Sequence, residues 1–385
     1  MNVLTRRMRR TSVLGCALVG ALLLGLVGCS TDGGGGTTIA GDAAPVSGGP
    51  PSTAHRDPAP PGTAGDSPGD SSAVPSSPGT PTRTKTLTKA EYLHPDGDYF
   101  GLATFHGPNR ATTASAAAAA GEQPRILEYY QDWDQPFSAD HAELAYQQGA
   151  LPLITWEPYG DSRAADQPKY ALQRIASGTY DAYIIRYAQK VKSIGQPVAL
   201  RFAHEMNGAW YPWSESNSGN SSGDYVKAWR HVHDLFQIVG ATEVIWVWSP
   251  NVLRGTGGVA LGPLYPGDAY VDWIGIDGYG FGEKTATEVL QPTLDAITAF
   301  SHKPVLISET GSAPGPRQAG WTADLFRWIK RTPNVIGFVW FQYSKDEGGR
   351  YDYRFDISPA TKAAFRKGLG SLTLRPWPVT SEGSH

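Results

Sequence analysis

Two glutamates, far apart in the chain, close two apolar runs. Glu205 ends Pro197-Val198-Ala199-Leu200-Arg201-Phe202-Ala203-His204-Glu205 and continues into Met206-Asn207-Gly208-Ala209-Trp210-Tyr211-Pro212-Trp213. Glu309 ends Lys303-Pro304-Val305-Leu306-Ile307-Ser308-Glu309. Two convergent carboxylates can cleave a glycosidic bond: one gives a proton to the leaving oxygen, and the other attacks the anomeric carbon from about 5–5.5 Å away. The acid must keep its proton near neutrality and the nucleophile must stay charged, so the two need different surroundings. Trp210, Tyr211 and Trp213 would supply an apolar setting for Glu205, and a tyrosine such as Tyr279 could donate to Glu309.

Such a pair converges only if a scaffold brings the two run ends together. Near-continuous apolar runs at 99–105, 125–133, 151–158, 197–205, 243–251, 271–279, 304–310 and 336–343 read as strands of a parallel sheet buried on both faces. Helical patterns lie between them: one opened by Ser138, then 181–194, 224–239, 287–300 and, more weakly, 321–330 and 360–369, with Gly195 and Gly240 as C-terminal caps. Strand then helix, repeated about eight times, predicts an α/β fold of the (β/α)8 barrel type, whose functional residues cluster at the carboxyl ends of the strands. Glu205 falls at the end of the fourth strand and Glu309 at the end of the seventh. Strict alternation would put Arg201, Ala203 and Glu205 on one face, and Val305, Ile307 and Glu309 on one face. An open doubly wound sheet fits less well, because Phe105-His106-Gly107-Pro108-Asn109 lacks a Gly-rich phosphate turn.

The remainder of the chain points to export. Arg6, Arg7, Arg9 and Arg10 precede an apolar run from Val13 to Val27 and then Gly28-Cys29, the order of a secretory signal. Leu26-Val27-Gly28-Cys29 resembles a bacterial lipoprotein signal, which implies lipidation of Cys29 and an anchored protein on the outer face of the cell membrane, or a secreted one. Cleavage there would remove Cys16 and modify Cys29, the only cysteines, so a disulfide or thiolate metal framework is not expected. The segment 29–85 is rich in Gly, Pro, Ser and Thr and reads as a tether that cannot bury a core. The domains expected are therefore a signal at 1–28, a linker at 29–85, the barrel at 86–376 and a tail at 377–385. A net charge of −3 with no basic stripe argues against nucleic acid as a partner. Twelve Trp and 18 Tyr against 18% charged residues suit either a large core with amphipathic fillers or stacking platforms for sugar rings.

Arg201-Phe202-Ala203-His204-Glu205-Met206-Asn207-Gly208-Ala209-Trp210-Tyr211-Pro212-Trp213 resembles the acid/base motif of glycoside hydrolase family 26. Ile307-Ser308-Glu309-Thr310-Gly311 is similar to that family's nucleophile strand. Trp248-Ser249-Pro250-Asn251, Asp272-Trp273-Ile274-Gly275-Ile276-Asp277-Gly278-Tyr279 and Phe338-Val339-Trp340-Phe341 follow in the family's order. The resemblance implies a retaining endo-hydrolase of β-linked polysaccharide, most often β-1,4-mannan, with β-1,3-1,4-glucan and xylan as alternatives. It implies Glu205 as acid/base, Glu309 as nucleophile, Tyr279 as the nucleophile's hydrogen-bond donor, and Trp210 stacked on the sugar. His204, His106, Trp340 and Asp277 follow as further substrate contacts. No cofactor or metal is called for, and a monomer is expected. A surface glycan-binding protein that has lost catalysis is the reading from another class.

A zinc-protease helix is set aside, because position five of His204-Glu205-Met206-Asn207-Gly208 is glycine and the run follows a strand. Gly219-Asn220-Ser221-Ser222-Gly223 matches a nucleophile-elbow pattern without the strand that must precede one.

Overall fold

The computed structural model describes residues 87–160 and 164–375. The signal, Cys29, the linker and the tail beyond residue 376 lie outside the described residues. Eight strands close into one parallel barrel in chain order: β1 Tyr99–Thr104, β2 Ile126–Asp132, β3 Leu151–Glu157, β4 Val198–Phe202, β5 Val244–Trp248, β6 Trp273–Gly280, β7 Val305–Ser312 and β8 Val335–Gln342. β8 closes on β1, with Tyr99 opposite Gly337 and Thr104 opposite Gln342. The helices are α1 Lys89–Leu93, α2 Arg110–Ala120, α3 Ala139–Gln147, α4 Leu172–Ala176, α5 Asp181–Ser193, α6 Asp224–Val239, α7 Ala286–Thr298, α8 Gln318–Arg331 and α9 Pro359–Leu369. The β5–β6 connection carries only the 3₁₀ turn Gly262–Leu264, so one strand–helix unit lacks its α-helix. Among the described residues no helix is long and apolar enough to cross a membrane.

Local signals account for the helix ends. Thr285 and Glu288 form a reciprocal capping box at the start of α7. Gly240 takes φ 78° to end α6, a conformation that costs glycine little. α6 buries Tyr225, Ala228, Trp229, Val232, Leu235 and Phe236, the stripe a helix of 3.6 residues per turn lays against a barrel. The alanine-rich α2 escaped the sequence reading. Asn109 caps it, accepting from the amides of Ala111 and Thr112.

The barrel interior is layered. Ile126, Leu153, Ala199, Ile245, Trp273, Leu306 and Val339 form an apolar floor. Two residues further along β2, β3, β4 and β7 come Glu128, Thr155, Arg201 and Ser308, and four further along β6 comes Asp277, all fully buried. Tyr279 and Phe341 lie above them. A polar layer on an apolar floor, opening toward the strands' carboxyl ends, is how such a barrel presents chemistry at one face only. Gly275 is needed for this layer to close, since a Cβ there would collide with the hydroxyls of Ser249 and Ser308.

Candidate active site

β4 stops at Phe202, three residues short of Glu205. Simple alternation does not carry the glutamate inward. Ala203 (φ 47°) and Glu205 (φ 51°) both adopt left-handed backbone, which costs a non-glycine residue of order 1 kcal/mol. The turn is held by the Glu205 amide donating to Ser249 O at 2.7 Å and by Tyr225 Oη donating to Ala203 O at 3.0 Å. Asn207 ties the same loop to the end of β5. Its amide nitrogen donates to Asn251 O at 2.8 Å, and its carbonyl oxygen accepts from the Asn251 amide at 2.9 Å.

Glu309 reaches the site by another irregularity. Gly275 pairs with Leu306, but Asp277 pairs with Glu309, so β7 carries one extra residue between them. Leu306 lies in the interior floor, whereas Val305 and Ile307 pack outward against the helices. Uninterrupted alternation would have sent Glu309 outward with them. The bulge turns it in, a common role for bulges near sites.

The surroundings of the two carboxylates differ in kind. Glu309 Oε2 accepts from Tyr130 Oη at 2.7 Å and from Arg201 Nη2 at 2.7 Å, and Tyr279 Oη donates to Oε1. All three are donors, matched to the lone pairs of an anionic carboxylate. Among the described residues no cation pairs with Glu205. Oε2 accepts from Trp210 Nε1 at 2.7 Å and Oε1 from Asn251 Nδ2 at 2.5 Å. Burial, reinforced by the charges of Asp277 and Glu309, pushes the Glu205 carboxyl well above the usual carboxylate range. One carboxyl is thus set up to hold a proton and the other is clamped by donors.

Arg201 organises the polar layer beneath. Its Nη2 lies 2.8 Å from Glu128 Oε1, its Nη1 2.7 Å from Asp277 Oδ1, and its Nε donates to Thr155 Oγ1 at 2.7 Å. The Nη1–Asp277 approach is a charge contact rather than an aligned hydrogen bond. Asp277 also accepts from Ser308 Oγ at 2.7 Å and Ser249 Oγ at 2.9 Å.

Of the residues singled out in the sequence, Glu205, Glu309, Trp210 and Tyr279 converge here. His204 is fully buried beside them, with its ring 4.9 Å from that of Tyr211 and 5.8 Å from that of Trp213. Among the described residues neither ring nitrogen has a hydrogen-bond partner. Burial first, and the Arg201 charge second, hold its pKa well below the usual histidine range, so it stays neutral. Tyr211 and Trp213 pack on His204, their rings stacked 4.2 Å apart. Three further candidates stand apart from this cluster. Trp340 turns away from the barrel interior: it is fully buried against Phe355 and Phe365 in the helical layer, with Nε1 donating to Tyr353 O at 2.9 Å. Asp277 lies in the ionic layer under the site, paired with Arg201. His106 stands exposed on the β1–α2 loop with its ring against Phe105, and makes no described contact with either glutamate. Glu128, Tyr130 and Tyr353 are neighbours of the site that the sequence reading missed, and it took Asn251 only for part of a strand-end motif. Among the described residues no group of His, Cys, Asp and Glu is arranged to hold a metal ion.

Comparison with known proteins bears on the domain that carries this site. Residues 145–318, which span both glutamates, match the family model described as Glycosyl hydrolase family 26. The chain is 33% identical over 283 residues to endoglucanase H of Acetivibrio thermocellus, covering 70% of this chain and 30% of that protein. It is 30% identical over 230 residues to a mannan endo-1,4-beta-mannosidase of Bacillus subtilis, covering 56% of this chain and 57% of that protein. The chain therefore spans less than two thirds of the length of either relative. The barrel superposes on a family 26 β-mannanase from Bacteroides ovatus with TM-score 0.57 at 19% identity, covering 76% of this chain and 97% of that one, a likeness of fold. The family model and the two relatives together mark the barrel as similar to glycosyl hydrolase family 26.

Proposed function

We propose that this domain is a retaining, endo-acting glycoside hydrolase of β-linked polysaccharide, with β-1,4-mannan as the leading substrate. The observation that carries the reading is the contrast between the two buried glutamates: Glu205 without a cation and raised in pKa, Glu309 gripped by Arg201, Tyr130 and Tyr279. In the first step Glu309 attacks the anomeric carbon while Glu205 gives its proton to the departing glycosidic oxygen. The products are a glycosyl ester on Glu309 and a free chain end. In the second step Glu205, now a base, takes a proton from water as that water displaces the ester. Trp210, half-buried and bonded to Glu205 through its indole nitrogen, offers its ring face to the sugar at the cleaved bond.

A glucan substrate is the second reading, because the relative matched over 283 residues is named an endoglucanase. Purified protein assayed for reducing-end release on glucomannan, galactomannan, mixed-linkage glucan, and β-1,3- and β-1,4-xylan separates the substrates. Binding to any of these without release would instead favour a glycan-binding protein. Loss of release in Glu309→Ala is expected, and retained release would remove Glu309 from the nucleophile role. The lipoprotein-like Leu26-Val27-Gly28-Cys29 supports a domain tethered through Cys29 to the outer face of the membrane. Partition of the full chain into detergent, lost in Cys29→Ser, tests the anchor.

A further inference from the structure

Buried tyrosine hydroxyls in this barrel are generally bonded: Tyr130 and Tyr279 to Glu309, Tyr343 to Thr104 O, Tyr225 to Ala203 O and Tyr187 to Gln131. Tyr353 departs from that pattern. It lies in the segment between β8 and α9 and is 1% exposed, yet among the described residues its hydroxyl has no partner. Its placement is nevertheless fixed. Its amide donates to Tyr343 O at 2.9 Å and its carbonyl accepts from Trp340 Nε1 at 2.9 Å. Its ring lies 4.8 Å from that of Tyr279 and 5.8 Å from that of Phe341. Gly311, two residues beyond Glu309, makes room for it, since a Cβ there would lie 3.2 Å from the Tyr353 Cβ. Tyr353 packs on Tyr279, whose own hydroxyl donates to Glu309, so it borders the space of the carboxylate pair.

A buried polar group without a partner needs an explanation, and at an active site a ligand group is the natural one. We propose that Tyr353 contacts the substrate: its hydroxyl hydrogen-bonds a ring hydroxyl of the pyranose seated at the cleaved bond, beside Tyr279. The inference rests on the glycoside hydrolase reading and adds to it a residue that orients the reacting sugar. Glu309 already takes the Tyr279 hydroxyl, which leaves Tyr353 as the neighbouring donor free for the sugar.

Tyr353→Phe removes the hydroxyl and keeps the ring. Compared with the unaltered protein on its best polysaccharide, the variant should lose about tenfold or more in kcat/KM, equivalent to about 1.4 kcal/mol of transition-state binding. Its Tm should be unchanged or higher, because an unsatisfied buried hydroxyl has gone. A purely structural role would move the other way, lowering Tm and activity together, and that result overturns the proposal. So does a smaller fall in kcat/KM, which would mean that only water occupies the hydroxyl. If the unaltered protein releases no reducing ends from any glycan, the hydrolase reading itself fails. An active parent with an indifferent Tyr353→Phe variant sinks the Tyr353 proposal alone.

Discussion

Arg201 Nη2 sits 2.7 Å from Glu309 Oε2 and only 2.8 Å from Glu128 Oε1, so one guanidinium nitrogen serves the proposed nucleophile and a buried structural acid together. All three side chains are fully buried. In such a place a broken ion pair is costly, because the partner left behind keeps its desolvation penalty. Arg201→Ala, which strips the cation from Glu128, Asp277 and Glu309 at once, should lower stability by about 3–5 kcal/mol. The loss should be smaller at pH 5 than at pH 8, since protonation of the acids relieves it. Arg201→Lys keeps the charge but cannot reach Thr155, Glu128, Asp277 and Glu309 in one fork, and it should fold while losing activity. Denaturant unfolding of both variants at the two pH values measures this; an Arg201→Ala protein as stable as its parent at pH 8 would contradict it.

Glu205 should set the alkaline limb of the rate profile. Burial, then the charges of Asp277 and Glu309, raise its pKa, and a general acid works only while protonated. Activity therefore falls as pH rises through that pKa. Glu205→Gln removes the transferable proton and should cut kcat on polysaccharide by about 10²–10⁴. Aryl glycosides with good leaving groups need less help from the acid, so on them the variant should form its glycosyl–enzyme readily and stall at hydrolysis, visible as a burst. An unaltered alkaline limb in Glu205→Gln would assign that limb to another group.

The eight strands were legible because parallel strands buried on both faces need unbroken apolar runs, and these stand out between helical patterns. The two glutamates were legible as strand-end acids. The way they face inward was not. Alternation along Val305-Leu306-Ile307-Ser308-Glu309 misses the bulge that reverses the side, and no residue type in that run marks it. Beyond Phe202 alternation fails again, because Ala203 and Glu205 enter a left-handed conformation that sequence assigns to neither. The strand-end tryptophans show the same limit: Trp133, Trp156, Trp248 and Trp340 all pack in the outer cluster between strands and helices. An aromatic at a strand end points in or out by one residue of register. Glu128 was findable, as an acid inside the apolar run of β2. Tyr353 was not, since its segment has no period and its place depends on contacts with β6, β7 and β8.

Stability should decline as pH rises from about 6.5 to 8. Burial, only partly offset by Arg201, pushes Glu128 up to about 8 and Asp277 up to about 7. A carboxyl raised in the folded state binds a proton that the unfolded chain has already released, so folding loses ground with each step of pH between the two pKa values. For Glu128 that window runs from the ordinary 4.5 to about 8. His204, held neutral by burial, has the opposite sign, but its effect is complete once the unfolded histidine has lost its proton near 6.5. Above that pH the buried acids act alone. At about 1.4 kcal/mol per unit, Glu128 contributes at most about 2 kcal/mol over the interval. Thermal midpoints at half-unit steps should slope downward, with a shallower slope in Glu128→Gln. A midpoint that climbs across this range would contradict the burial argument.

The left-handed turn before Glu205 gives the last prediction. Ala203 is fully buried at φ 47°, where its Cβ crowds the following carbonyl, and Tyr225 and Ser249 help to hold the turn by bonding its backbone. Glycine takes this conformation without that crowding but gains freedom in the unfolded chain. Strain relief of about 1–2 kcal/mol set against an entropic loss of about 0.5–1 kcal/mol leaves Ala203→Gly as stable as its parent or slightly more so. Activity should move the other way. Glu205 must be presented at the angle fixed by Ala203 and by its own φ of 51°, and a freer hinge two residues earlier lets the proton donor wander from the glycosidic oxygen. Misplacement by about 1 Å costs on the order of 10²-fold, so a several-fold loss in kcat with KM little changed is expected, and steady-state kinetics beside a melting curve measures it. If Ala203→Gly instead lost several kcal/mol with kcat intact, the turn would be a packing feature rather than a device for aiming the acid.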